Sequence, residues 1–571
     1  MFSLRRGLAL AAVVVLSAAR FVESAAGNID DLFSLLVYVR HFAASGSFYY
    51  NAADGPIDGF TSPLDLLFKA AAQVVVRGDP VLIAWWLSLA LHVGVGVAGF
   101  LIAERLARRR GLPGLWLATI AGIALGTAQA LGDGSAFLLE TPLFVLLGLA
   151  ACAIVVLEPP SSRAGRLGVG ALLIAVTLAR PEGLPLSLLL LALLYFERRD
   201  AWPLALFAAG IGAYYAWRVH VFGFWAPNTY YAKTSASRWY EIRDGLDYVL
   251  AFARSLGAPS LLWIAAAPLV AGARFVAPPH RRAYVACCAL AWAMLGVVVY
   301  SGGDCYAGGR FLALPLALAT LALVIAAATL DGRARTAARG ALAALTAAQL
   351  LVLIATPIYV FGVLQPREPL RIPLRGDSFA CERDASEQIA APLRRRPGAV
   401  VAQTDFQRFK FFVDDLESLD LTGLNDRRIA HRRIDGPVRW GKLDVVEAAR
   451  LRPEVLILGH HTTVNARAIA AFPLAEVFRD AALQDDFFGY GVSPAAAEAL
   501  TASYAPASVP VCGGWFNFLA RRDLASAWPA PSARATTTGG AVAANCRREY
   551  AEARFGKNVD SEKSARMIYR R

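Results

Sequence analysis

The chain has 571 residues, 57% of them hydrophobic and only 18% charged, and its mean hydropathy is +0.46. No ordinary soluble domain has that balance. Its formal net charge of +13 does not argue for nucleic acid as a partner, because most of that net excess comes from cations in loops between apolar runs, where they report membrane orientation.

A spanning helix needs roughly 20 mostly apolar residues. Runs of that kind recur up to about residue 364 and then stop. In chain order they are 5–25, 79–103, 114–132, 141–157, 166–179, 183–197, 202–221, 255–274, 283–301, 310–330 and 341–364. The composition thus predicts an α-helical polytopic membrane protein with about eleven spans. The first run, led by Arg5 and Arg6, also has the build of a secretory signal ending near Ala25–Gly27; the many spans behind it argue against that reading. Directly after it stand Asp30 and Asp31. The stretch 61–77 contains Pro63 near its start and Lys69 further on, so a helix lying near the interface is expected there.

One set of loops is rich in Arg: Arg5/Arg6, 104–110, 161–166, 197–200, 274–282 and 331–339. That set should be cytoplasmic. Asp30, Asp31 and everything after 365 then face outward, which in a bacterial cell means the outer side of the inner membrane. Beyond 365 the pattern changes to short apolar runs such as GAVVAQT (398–404) and RPEVLILGHH (452–461), mixed with helix-like stretches such as 465–472. That rhythm predicts a small extracytoplasmic α/β domain. The expected organisation is a membrane domain over 1–365, the α/β domain over 366–527, and a linker with a charged tail over 528–571.

Cys152, Cys287 and Cys288 fall in expected spans, where a free thiol acts as a small apolar residue. Cys305, Cys381, Cys512 and Cys546 fall on the oxidising side, and a disulfide is expected among the last three, with the pair left open. The seven histidines are scattered, and His460/His461 form no zinc pattern.

Polar residues gather where spans end on the outward side: Asp30 and Asp31; Thr61 and Ser62 in GFTSP; Glu140 in FLLETP; Arg180 and Glu182 in ARPEG; Asn228 and Lys233 in WAPNTYYAK; Asp304 and Arg310 in GGDCYAGGR. Singly, each reads as a turn or an interfacial ion pair. Together on one face they suit chemistry on a lipid-linked phosphate. A carboxylate can guide or deprotonate an acceptor hydroxyl, Arg offers phosphate a bidentate fork, and Lys offers a point charge. Asp30 and Asp31 are the candidates for the first role, Arg180, Lys233 and Arg310 for the second.

These motifs, in this order and spacing, resemble the GT-C superfamily of polyprenyl-phosphate-dependent glycosyltransferases. The resemblance is greatest to the terminal β-(1→2)-arabinofuranosyltransferases of the mycobacterial cell envelope. It rests on IDDLFSLLVYVRHFAASGSFYYN, GFTSPL, FLLETPLFVLLGL, LARPEGL, FGFWAPNTYYAK, YSGGDCYAGGRFLALPLA and, in the tail, LDLTGLNDRRIAH and RPEVLILG. It implies a GT-C-like membrane domain, a polyprenyl-phosphate sugar donor, and a glycan or glycoprotein acceptor. His431 followed by RRIDGPVRWGK departs from the family pattern on the acceptor side, and nothing after about 525 matches it. If the donor is a β-linked arabinofuranosyl phosphate, a β product means retention, whereas one base-assisted displacement inverts; Asp30 or Asp31 acting as nucleophile is the alternative. No cofactor is expected, and a divalent metal on the acidic pair is the less favoured arrangement. The rival readings are a hexosyl or pilin-type transferase of the same superfamily and, further off, a transporter of lipid-linked sugars. A transporter should carry midplane charges on repeated broken helices, and no repeat is visible in the sequence.

Overall fold

The computed structural model describes residues 2–24, 30–109, 114–254, 276, 278–304, 309–330, 332–363, 379–404, 406–434, 438, 441–443, 445–458, 465, 467–488 and 492–528. The expected spans are helical over their described parts; 255–274 lies outside the described residues, as do Cys305, His460, His461 and Cys546. Their lengths are uneven. Leu4–Ser24, Pro80–Arg109, His280–Tyr300, Arg310–Thr329 and Gly332–Leu353 are each long and apolar enough to cross a membrane. Leu115–Gly126 and Gln129–Ala136, bent by 47° at their junction, make a sixth span if counted together. By contrast, Arg163–Ala179 has 17 residues and Gly183–Arg198 has 16. At 1.5 Å per residue such helices reach only about 24–26 Å, short of a hydrocarbon core about 30 Å thick. About eleven spans were expected; among the described residues, five or six helices qualify by length and composition.

Contacts divide the chain into two compact units. The first comprises Met1–Asn28, Thr61–Trp225 and Arg238–Leu374. Its core includes a large apolar cluster, and the span Arg310–Thr329 is almost wholly buried. The helix Pro63–Val76 starts where Ser62 caps it, the hydroxyl accepting from the Asp65 amide, with Pro63 in the first turn. Its polarity is inverted. Asp65 and Lys69 form a buried i,i+4 ion pair, while Phe68, Val74, Val75 and Val76 are exposed. A helix with charges inward and valines outward suits a lipid neighbour rather than water.

The second unit comprises Ile29–Phe60, Ala226–Ser237 and Arg375–Arg571. Its sheet has five strands, β1 (Val400–Gln403), β2 (Glu417–Asp420), β3 (Val455–Ile457), β4 (Tyr504–Val511) and β5 (Gly514–Arg521), in the order β2-β1-β3-β5-β4. β1 is parallel to both β2 and β3; β5 is antiparallel to β3 and β4. Alternate residues face opposite cores, Val401, Val455 and Ile457 on one side and Ala402 and Leu456 on the other, as the two-residue strand period requires. Both faces are covered, the arrangement of an α/β domain. A disulfide joins Cys381 to Cys512, fixing one of the pairings left open by the sequence.

The helix Asp30–Ser45 belongs to this unit. Near its end His41 Nε2 meets Asp414 at 2.9 Å, and Arg40 and Lys410 approach the same carboxylate at 3.2 and 3.4 Å. Burial works to raise the Asp414 pKa, but the His41 bond and the two cations outweigh it and hold the group at about 2. A folded-state value below the ordinary one contributes stability above the ordinary value near 4, lost as pH falls towards 2. Hydrogen exchange in β1 and β3 of the solubilised chain should therefore accelerate between pH 4 and pH 2.5 once intrinsic rates are removed. Asp414→Asn should flatten that rise; an unchanged profile in the variant would exclude this contact as its origin.

Candidate functional site

In the second unit the two neighbouring carboxylates have different surroundings. Asp30 is 4% exposed. Its carboxylate accepts from the backbone amide of Gln407 at 2.5 Å and lies 3.5 Å from the Arg408 guanidinium. Gln407 follows β1, so Asp30 is seated at the carboxyl end of a parallel strand. Further polar contacts fix the same helix. Asn425 Oδ1 accepts from Tyr38 at 2.9 Å and from Ser34 at 3.2 Å, while its amide donates to Asp420 at 2.9 Å. The Tyr50 hydroxyl donates to Gln407, and Asn51 exchanges bonds with the backbone of Ser418. Gly59 donates its amide to the Tyr38 hydroxyl at 3.1 Å; a Cβ there would fall 1.9 Å from Asn425 Oδ1, so only glycine permits that approach.

Asp31 faces the other way. Its side chain is 25% exposed, and Lys233 Nζ stands 3.9 Å from Oδ2 with 34% exposure of its own. Lys233 ends the short helix Asn228–Lys233, which is anchored at its other end. The Asn228 amide side chain donates to the carbonyls of Gly423 and Leu424 at 2.8 and 2.9 Å, and its backbone amide donates to Asp58 at 3.1 Å. Tyr231, on the same helix, packs against His431 with ring centroids 4.2 Å apart. Burial and the neighbouring Lys442 and Arg427 push the His431 imidazole below its ordinary pKa. Lys442 holds the turn by donating to the carbonyls of Ala430 and Arg432. Asp31, Lys233, Asn228 and His431 thus lie within one unit, on elements braced by backbone bonds.

The first unit holds a second cluster. Arg180 and Arg310 are each 6% exposed. Arg180 donates to Glu140 at 2.5 Å and, through Nε and Nη2, to both oxygens of Glu182 at 3.1 and 2.9 Å. Arg310 donates to Asp304 at 2.5 and 3.1 Å. The Phe311 ring lies beneath both guanidinium groups, 4.2 Å from Arg180 and 5.3 Å from Arg310. Two guanidinium charges thus face three carboxylates. Ser62 serves as a helix cap and Thr61 is exposed.

Pattern reading could not single out the groups that seat Asp30. Gln407, Asn425, Tyr38 and Tyr50 are ordinary polar residues in segments hundreds of positions apart. The run LDLTGLNDRRIAH held the signal, since it carries both Asp420 and Asn425.

No protein-family model matches the chain, and no curated protein matches it. Among solved structures, ArnT from Cupriavidus metallidurans in the apo state is similar to it at 16% identity, over 92% of this chain and 99% of that one, with a TM-score of 0.48. The same protein bound to undecaprenyl phosphate gives 0.47, with the same identity and coverage. A likeness at these scores carries no argument about function.

Proposed function

We propose that the chain is a multi-pass membrane glycosyltransferase that moves a sugar, arabinofuranose, from a polyprenyl-phosphate donor to a glycan acceptor on the outer face of the membrane. The observation that carries this reading is the contrast between the two carboxylates: Asp30 is tied into backbone, while Asp31 stays partly open with a cation 3.9 Å away. Asp31 is then the group that guides or deprotonates the acceptor hydroxyl as its oxygen bonds to the anomeric carbon. The bond to the donor phosphate breaks, and the electron pair leaves with polyprenyl phosphate. Lys233 offers the phosphate a point charge, and Arg180 and Arg310 have the recognition role implied by the family resemblance. A positioned carboxylate base typically supplies about 10²–10⁴-fold.

The test is incubation of the purified chain with polyprenyl-phosphoryl arabinose and an arabinan acceptor, with transfer read by mass spectrometry and the new anomer by NMR. Transfer of pentose supports the reading, and its absence while a hexosyl donor is used sinks the sugar assignment. An inverted anomer assigns Asp31 as base; a retained one assigns a nucleophile.

Orientation is tested separately. Reporter fusions after Phe60, Arg180, Lys233 and Arg310 should report the outer side, and fusions after Arg110, Arg199 and Arg282 the cytoplasm. A cytoplasmic signal at Phe60 would remove the physical basis of transfer at the outer surface.

A further inference from the structure

The helix Thr141–Cys152 begins beside a small enclosed cavity lined by Thr141, Phe144, Arg180, Glu182, Arg310 and Phe311, among others. Its free space is on the scale of a single water molecule. Thr141 is 1% exposed, and its hydroxyl has no hydrogen-bond partner among the described residues. A buried hydroxyl without a partner is costly, since desolvation goes uncompensated. Threonine in a helix ordinarily bonds back to a carbonyl one turn earlier, as Thr177 does to Leu173 and Thr320 to Leu316. Thr141 opens its helix and does not make that bond, and it lines the cavity. The same helix end brings the positive pole of its dipole to a cavity that Arg180 and Arg310 also line. Gly134 makes this possible: a Cβ on it would fall 2.7 Å from the Thr141 methyl and 2.8 Å from Arg310 Cβ.

We propose that this cavity is an anion subsite for a phosphate group and that Thr141 is a ligand residue of it, donating its hydroxyl to a phosphate oxygen held by Arg180 and Arg310. The proposal rests on the transferase reading for the identity of the anion as the phosphate of a polyprenyl lipid. Glu182 marks how the anion enters. It occupies the Nε/Nη2 edge of Arg180, the edge that receives phosphate in bidentate recognition. Its side chain is 14% exposed, against 8% for Glu140 and 3% for Asp304. Phosphate exchanges with Glu182 on that edge, and the cavity widens by the displaced carboxylate.

The test measures binding of a long-chain polyprenyl phosphate and, in a second arm, inorganic phosphate to the full chain in detergent. Thr141→Val keeps the methyl that packs on Gly134 and removes only the hydroxyl; it should weaken binding about tenfold, the usual scale for a hydroxyl bonded to a charged group. Thr141→Ser should bind within about twofold of the parent, since the donor remains. Glu182→Gln should tighten binding, because a charged competitor for the Arg180 edge is gone. Thr141-dependent binding in the lipid arm alone assigns a lipid phosphate, and in both arms it assigns the phosphate group itself. Unchanged binding by Thr141→Val, or no binding in either arm, overturns the subsite. Sugar transfer measured on the same preparations separates the two ideas: Thr141-dependent binding without transfer of any sugar sinks the transferase reading and leaves the subsite standing.

Discussion

Asp31→Asn should fold and insert like the parent chain yet lose about two or more orders of magnitude in transfer rate, the scale on which a carboxylate base acts. Its side chain is a quarter exposed and its ion pair with Lys233 is long, so removing the charge costs the fold little. Asp30→Asn should behave in the opposite sense. An amide there must turn one NH₂ or one neutral oxygen towards Gln407 and Arg408. The loss of a charge-assisted bond in a buried place costs about 1.5–3 kcal/mol. The variant should unfold at lower temperature and lose transfer in proportion to lost folded protein. Thermal unfolding and single-turnover transfer on the two variants decide it. Full activity in Asp31→Asn, or unchanged stability in Asp30→Asn, would reverse the division of labour drawn between them.

Arg310→Ala carries the second large effect, and here activity and stability fall together. The guanidinium holds Asp304 through two bonds, both residues being almost fully buried. Removing one partner of such a buried pair costs about 3–5 kcal/mol. Arg310→Lys keeps the charge and loses the fork, so it should be milder in both respects. A double variant, Arg310→Met with Asp304→Asn, separates the roles. It removes both charges of the pair and should recover much of the stability lost in Arg310→Ala, yet should stay inactive if Arg310 recognises phosphate. Transfer restored along with stability would reduce Arg310 to a structural pair.

The membrane class was legible because apolar runs of this length have no other use, and so was the α/β character of the tail, where strand and helix periods alternate. Lys69 illustrates what composition conceals. In a stretch read as interfacial it proved to be the buried half of an ion pair, with valines facing outward. Span lengths were legible only loosely, because the sequence marks where apolar character fades and not where helical hydrogen bonding ends. The acidic pair stood out at once, but its two members could not be distinguished. Their difference is made by Gln407 and Lys233, one 377 positions from Asp30 and the other on a short helix that nothing local ties to Asp31. Arg180 and Arg310 were visible as cations, but their enclosure by Glu140, Glu182 and Asp304 depends on side-chain geometry.

The seat of Asp30 sets a schedule for the living cell. The helix that bears the acidic pair leaves the ribosome near the beginning of synthesis, and the amide that receives it is made 377 residues later. At about 5–20 residues per second that interval is roughly 20 to 75 seconds. Throughout it the membrane helices can insert one after another while Asp30 lacks its backbone partner. A chain that stops before Gln407 therefore carries Asp30 without the amide that seats it, while Lys233, the partner of Asp31, is already made. Completion of the sheet in the tail is thus the condition on which the helix Asp30–Ser45 takes its place.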